Sequence, residues 1–291
     1  MSYNFFIVGG DKRIFYLAES LKQDGNNVKV LGLEKCLNEQ NNDELKIVNS
    51  IEEIGEDDIV ISSVPLSLDE ENVYSPFSDK EIKLKELAKK IKENKNKFFA
   101  GKIPKTFYTE ITGHNENNLN DRNFKKEVEN KGKSKKIVDL LECEELTIMN
   151  TIATAEGAIA KAIEETDIIL DRSNILILGF GRVGKSLAHK LKAFNANVFI
   201  EARKEKDLAW IKALGYNDIP IELLNENLCQ MRIIFNTIPY QILNKDRLIY
   251  LKNDSVIIDL ASKPYGVDFE ACKKLNINAI LYSRNPRENC I

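Results

Sequence analysis

The stretch NILILGFGRVGKSLAHKL, Asn174 to Leu191, most constrains what this chain can fold into. Ile175–Leu178 is an apolar run of strand length. Three glycines follow, and then apolar residues take helical spacing. Strand, glycine turn and helix in that order open a nucleotide-binding α/β domain. Two motifs overlap here. Gly179-Phe180-Gly181-Arg182-Val183-Gly184 is G-x-G-x-x-G, the dinucleotide fingerprint, while Gly179 through Ser186 also fits G-x-x-x-x-G-K-S, the phosphate loop of NTPases.

Three features favour the dinucleotide. The tighter turn requires Gly181, which the NTPase loop does not. Val183 falls where a small apolar residue packs the new helix onto the sheet. The next strand, NVFIEARKEKD, ends in charged residues about 20 positions after the loop, where dinucleotide folds read the ribose. The NTPase reading has one support, a strand ending at Asp259 in SVIIDLAS, as a magnesium-binding strand would. In the dinucleotide reading, Lys185-Ser186 is simply the first helical turn. The glycines let the backbone approach a pyrophosphate, the helix N-terminus favours its charge, and Arg182 can add a cation.

At the end of the second strand stand Glu201, Ala202, Arg203 and Lys204. An acid facing the ribose selects NAD; arginine or lysine accepts the 2′-phosphate of NADP. Strand alternation turns only one of Glu201 and Ala202 that way. If it is Ala202, Arg203 and Lys204 form a 2′-phosphate clamp, and NADP is the favoured cofactor with NAD as the alternative.

The chain before this unit alternates strand and helix as well. Strands are expected at Asn4–Val8, Val28–Leu33, Asp58–Ser67 (broken at Pro65) and KFFAG, with an amphipathic helix over Asp79–Lys95. Residues 109–134 are polar and read as loop plus a weak helix. From Leu146 to Ile169, apolar residues recur every three or four positions, which predicts a long helix joining two domains. Gly157 lies inside it, at a cost of roughly 1 kcal/mol relative to alanine, and points either to close helix packing or to a ligand's approach. After Ser173, strands are expected at Ile175–Leu178, Asn197–Glu201, Arg232–Asn236, Ser255–Asp259 and Asn278–Leu281. The expected fold is α/β: two Rossmann-like domains with parallel sheets, linked by a long helix, with a cleft between them. The expected division is an N-terminal substrate domain over 1–145, the linking helix over 146–170, and the dinucleotide domain over 171–291.

With 291 residues the chain is long for one core, and its net charge of −3 gives no general affinity for nucleic acid. No apolar run approaches a bilayer span, and the N-terminus has no leader-like pattern, so neither membrane insertion nor secretion is expected. Five scattered cysteines without a CxxC read as reduced cytosolic thiols. His114 and His189 are the only histidines, which argues against a histidine triad or a multi-histidine zinc site, and no metal site is expected.

FIVGGDKR, NTIATAEGAIAKAIEET, ILGFGRVGKSLA, EARK, FNTIPYQIL and IIDLASKPYGVDF, in this order, resemble the A subunit family of dipicolinate synthase. The resemblance spans almost the whole chain and implies the layout of two-domain 2-hydroxyacid and formate dehydrogenases. It implies oxidation of a dihydrodipicolinate-type cyclic dicarboxylate to pyridine-2,6-dicarboxylate, in the mother-cell cytoplasm of a sporulating bacterium. It also implies a partner, the flavoprotein-like B subunit; self-association is left open.

Position then nominates contacts. Thr237, Ile238 and Pro239 end one strand, and Ala261 and Ser262 follow Asp259, where such folds meet the nicotinamide ribose. In the first domain Gly10, Asp11 and Arg13 open a helix at a strand end, Val64 and Pro65 follow another strand with Ser62 and Ser63 just before them, and Lys102 is a further candidate; a helix N-terminus with Arg13 or Lys102 suits a carboxylate. Asp11 is equally a plain helix cap. On the linking helix, Thr154 and Glu156 are catalytic candidates, Glu156 as base or as a solvated helix residue.

Two other functions compete: a two-domain dehydrogenase acting on another acid, and a nucleotide-binding scaffold for a partner protein. After AILYS, the chain departs from the family's glycine-proline-glycine segment and final helix and reads RNPRENCI. Codons permitted for these residues, read one base later, restore the family segment, so a frameshift truncation is expected.

Overall fold

In the computed structural model, residues 2–40, 45–112 and 137–282 are described. They form two units that divide between Leu146 and Thr147, each with its own sheet. His114, Cys290, the RNPRENCI segment and most of the expected loop over 109–134 lie outside the described residues.

The first sheet is wholly parallel in its pairings and runs β3-β2-β1-β4-β5-β6. Its strands are β1 (Asn4–Val8), β2 (Asn27–Leu31), β3 (Lys46–Ile47), β4 (Ile59–Ser62), β5 (Lys97–Ala100) and β6 (Ile137–Asp139). Side chains alternate across it: Phe6 and Val8 enter one core with Val60 and Phe98, while Ile7 enters another with Val28 and Val30. The helix Lys12–Gln23 buries Ile14, Phe15 and Ala18 on the second face. The helix Leu84–Asn94 buries Leu84, Leu87, Ala88 and Ile91 on the first.

The second sheet runs β12-β11-β10-β7-β8-β9, again parallel. It comprises β7 (Asn174–Leu178), β8 (Asn197–Ala202), β9 (Asn217–Pro220), β10 (Ile233–Asn236), β11 (Val256–Asp259) and β12 (Asn278–Leu281). Numbered within its own unit, each sheet has the order 3-2-1-4-5-6 of doubly wound dinucleotide folds. The expected pair of parallel α/β domains is therefore what the chain forms. In each, the crevice for a ligand lies at the carboxyl ends of the first and fourth strands, β1 with β4 and β7 with β10.

The long helix spans Glu144–Glu164 and buries Ala155, Ala158, Ile159 and Ala162 in the core that holds Leu187, Ala188 and Leu191 of the helix Arg182–Ala193. Small residues let two helices approach closely. Gly157 has its reason here: a Cβ on it would strike the Tyr282 hydroxyl. Helix packing against a side chain, not ligand approach, occupies that space.

Some boundaries differ from expectation. The strand expected over Asp58–Ser67 ends at Ser62, and the helix expected over Asp79–Lys95 starts only at Leu84. Residues 109–112 belong to a helix, Lys105–Thr112. β3 and β6 are short, and β3, β6 and β9, which were not expected, all lie at sheet edges, where apolar patterning is weak.

Candidate functional site

The glycine turn after β7 gives each glycine a separate task. Gly179 has φ +96°, and a Cβ there would lie 2.7 Å from Thr237 Oγ1 and 3.0 Å from Ile238 Cγ1. Gly184 faces inward, where a Cβ would strike the Gly179 carbonyl oxygen. Gly181 has an ordinary negative φ of −78° as the cap of the helix Arg182–Ala193, and a Cβ on it would meet no protein atom within 4 Å. Neither φ nor packing demands glycine at 181. What glycine leaves there is bare backbone at a helix N-terminus, which fits a pyrophosphate.

The residues that suggested an NTPase are engaged elsewhere. Lys185 Nζ lies 5.2 Å over the ring of Phe180, which is itself largely buried. Ser186 Oγ is 2.6 Å from Thr151 Oγ1 on the long helix. Asp259 is fully buried and accepts from Asn236 Nδ2 (2.7 Å), Ala261 N (3.0 Å) and Gly266 N (3.0 Å). It braces two loops instead of offering oxygens to a metal. Among the described residues no group of three or more His, Cys, Asp or Glu could hold a metal ion.

The proposed nicotinamide-side contacts hang on that brace. Thr237 donates from both N–H and Oγ1 to the Leu178 carbonyl, at 3.0 and 2.8 Å. Asn236 receives the Ile238 N–H at 3.2 Å and donates to its carbonyl at 3.1 Å. Pro239 and Ser262 are exposed and Ala261 is buried, all at the carboxyl edge of the sheet. Arg182 is exposed, and Val183 packs against the core.

At the end of β8, Val198, Ile200 and Ala202 share the core with the helix Arg182–Ala193. Alternation places Glu201 on the opposite face, 0% exposed, with neither carboxylate oxygen hydrogen-bonded. Burial pushes the Glu201 carboxyl above its ordinary range, against the opposing pull of Arg203 and Arg247. Arg203 and Lys204 are exposed, and the Arg203 guanidinium lies 5.6 Å over the Tyr240 ring. Sequence reasoning passed over Tyr240 and Arg247, which carry no motif.

In the first unit, Gly9 and Gly10 turn the chain with φ +62° and +107°. Asp11 is 3% exposed; its carboxylate caps the following helix through Arg13 N at 3.0 Å and pairs with Arg13 Nη2 at 2.7 Å. The same Nη2 donates to the Val64 carbonyl at 2.8 Å. Asp11, Arg13 and Val64 thus meet where β1 and β4 end. Ser63 is buried, its hydroxyl on the Leu66 carbonyl at 3.3 Å. Lys102 belongs to the end of β5, where Asp139 accepts the Lys102 N–H at 3.1 Å and the Ile103 N–H at 2.9 Å.

On the long helix, Glu156 accepts from Lys190 Nζ at 2.7 Å, and Thr154 donates to the Asn150 carbonyl at 3.0 Å. No helix among the described residues is long and apolar enough to cross a membrane.

Comparison with known proteins follows these two units. Residues 4–118 match the family model for the N-terminal domain of the dipicolinate synthase A subunit, and residues 148–283 match "D-isomer specific 2-hydroxyacid dehydrogenase, NAD binding domain". The chain is 38% identical over 147 residues to the dipicolinate synthase A subunit of Bacillus subtilis (strain 168), a stretch covering 50% of each chain. The matched stretch therefore spans about half the length of that curated relative. Crystal structures of the dipicolinate synthase A subunit from Bacillus subtilis and from Bacillus halodurans superpose with TM-scores of 0.76 and 0.74, at 27% and 26% identity. Those alignments cover 98% and 96% of this chain and 89% of each neighbour. The second unit thus matches a nicotinamide-dinucleotide-binding domain, the first matches the N-terminal domain of dipicolinate synthase A subunits, and the chain is similar to those subunits across both units.

Proposed function

We propose that this chain is the dinucleotide-binding subunit of an oxidoreductase that converts a dihydrodipicolinate-type cyclic dicarboxylate to pyridine-2,6-dicarboxylate, with NADP as hydride acceptor. One observation carries the reading: a first unit of dipicolinate synthase type is joined to a glycine turn whose Gly181 faces open space. When bound, the dinucleotide supplies the acceptor for one hydride, which carries both electrons of the oxidation. The ring also gives up a proton and becomes aromatic, so the reaction asks the protein mainly for binding and orientation.

The roles follow from position. Gly179, Gly181 and Gly184 shape the pyrophosphate turn, with Phe180, Arg182 and Val183 around it. Ala202 lies on the helix face of β8, where it leaves room beside the ribose, and the exposed Arg203 that follows it favours NADP over NAD. Thr237, Ile238, Pro239, Ala261 and Ser262 border the nicotinamide end. In the first unit Gly10, Asp11, Arg13, Ser63, Val64 and Lys102 receive the dicarboxylate, with Arg13 held in place by Asp11. Glu156 accepts the proton, with Thr154 two residues before it on the same helix; the surface ion pair between Glu156 and Lys190 opens for this step. A mother-cell setting and a flavoprotein-like B subunit complete the proposal.

The test mixes the purified chain, alone and with its B subunit, with NADP or NAD and freshly generated dihydrodipicolinate. Pyridine product and reduced nicotinamide rising together in equal amounts support the proposal. Dinucleotide binding with no turnover in either mixture would leave only a scaffold.

A further inference from the structure

We infer that the 2′-phosphate of NADP is gripped by Arg203 and Arg247, and that Lys204 takes no part. This rests on the NADP reading above and changes which residues form the clamp. A cavity of about 400 Å³ opens where β8, β9 and β10 end, lined among others by Arg203, Arg247, Tyr240, Asn225 and Asn244. That is the same carboxyl edge of the sheet from which the glycine turn rises. Lys204 does not line it.

The cavity's chemistry suits a phosphorylated adenosine. The Tyr240 ring offers a flat apolar face, and Arg203 is already stacked on it. Asn225 and Asn244 supply amides for polar edges. Two guanidiniums stand against a single lining carboxylate, Asp246. Both guanidiniums line this one cavity beyond the end of β8.

Arg247 is pre-set for this work. Its Nε donates to Asn225 Oδ1 at 3.2 Å and its Nη1 to the Ile242 carbonyl at 2.8 Å, while Nη2 carries no hydrogen bond among the described residues. A guanidinium fixed along one edge can present the other to a phosphate without losing much side-chain freedom. Lys204, by contrast, precedes the helix Glu205–Ala213 as an exposed cation in water.

The experiment is calorimetric titration of the full chain with NADP, NAD and adenosine 2′,5′-bisphosphate. Arg247→Gln should weaken NADP and the bisphosphate by about ten- to a hundredfold, as for charge-assisted hydrogen bonds, and leave NAD nearly unchanged. Arg247→Lys should recover part of that loss, and Lys204→Gln should bind all three like the unaltered chain. NADP binding untouched by Arg247→Gln overturns the inference. So does an equal loss of NAD, which would mean that Arg247 only shapes the loop. If the unaltered chain binds no dinucleotide, the functional reading itself fails, and this assignment with it.

Discussion

Asn236 Nδ2 donates to Asp259 Oδ1 at 2.7 Å, so a single buried side-chain bond ties the end of β10 to the end of β11. Both loops proposed to border the nicotinamide hang from it. Asp259→Asn replaces one acceptor oxygen by an NH2 group that faces the Asn236 amide or the Gly266 N–H. We expect a loss of about 1–3 kcal/mol, the cost of an unsatisfied buried group, together with weaker NADP binding. Urea unfolding and titration calorimetry read the two effects.

Gly181 and Gly184 should separate. Gly181→Ala adds a methyl group that meets no protein atom, so unfolding free energy should stay within about 1 kcal/mol of the parent, the scale of a cap substitution. Dinucleotide binding should nevertheless be lost. Gly184→Ala should instead destabilise the fold itself, by about 1–3 kcal/mol or more as overpacking does. Equal binding by Gly181→Ala and the parent would remove the argument for a pyrophosphate at that turn.

Glu201 makes stability fall with pH. Its folded carboxyl is held above the ordinary value of 4.5. In the window above that value the folded chain keeps a proton that the unfolded chain has released. The stabilisation is complete below the unfolded value and is lost as pH rises through the folded one. Glu201→Gln removes this dependence. The variant should gain on the parent in melting temperature from pH 4.5 upward. Thermal melts at pH 4 and pH 8 (chosen as about the ends of the range where a buried acid titrates) check it, and parallel melting curves would contradict it.

Gly157 and Tyr282 should behave as a coupled pair. Gly157→Ala gains roughly 1 kcal/mol of helix propensity but drives its methyl into the Tyr282 hydroxyl. We expect net destabilisation in the single variant and recovery when Tyr282→Ala is added. A double-mutant cycle with no coupling would show that the phenol does not rest there.

Glu156→Gln should lower kcat by about a hundredfold, as loss of a general base does, while NADP affinity stays unchanged. Lys190→Gln, which frees the carboxylate, should leave kcat at or above the parent's value. Steady-state rates of the chain with the proposed B subunit decide this.

The sequence carried the frame well because the frame is local. Apolar runs such as Ile175–Leu178 and the glycines after them report strand, turn and helix within a few residues, and that alternation points to parallel sheets, though not to their strand order. β9, written NDIP, has no apolar pattern, since an edge strand needs little core. The site's braces were harder to read. Asp259 looked like a metal arm until Asn236 and two loop amides claimed its oxygens. Gly157 had two readings until Tyr282, far along the chain, filled the space beside it. Arg247 lies in a plain polar stretch and meets Arg203 only through the ordering of β8 to β10. Local rules cannot see such partners, because the contact is made by topology.

The allegiance of the long helix decides how this protein can be dissected. Ala155, Ala158, Ile159 and Ala162 belong to the core of the second unit. A fragment excised from Thr147 onward takes its own lid along. One cut at residue 171, after the helix, leaves behind a stripe that Leu187, Ala188 and Leu191 would then show to water. A protease nicking the chain ahead of Thr147 should release a soluble dinucleotide-binding piece, whereas a cut beyond Glu164 should yield one that clumps.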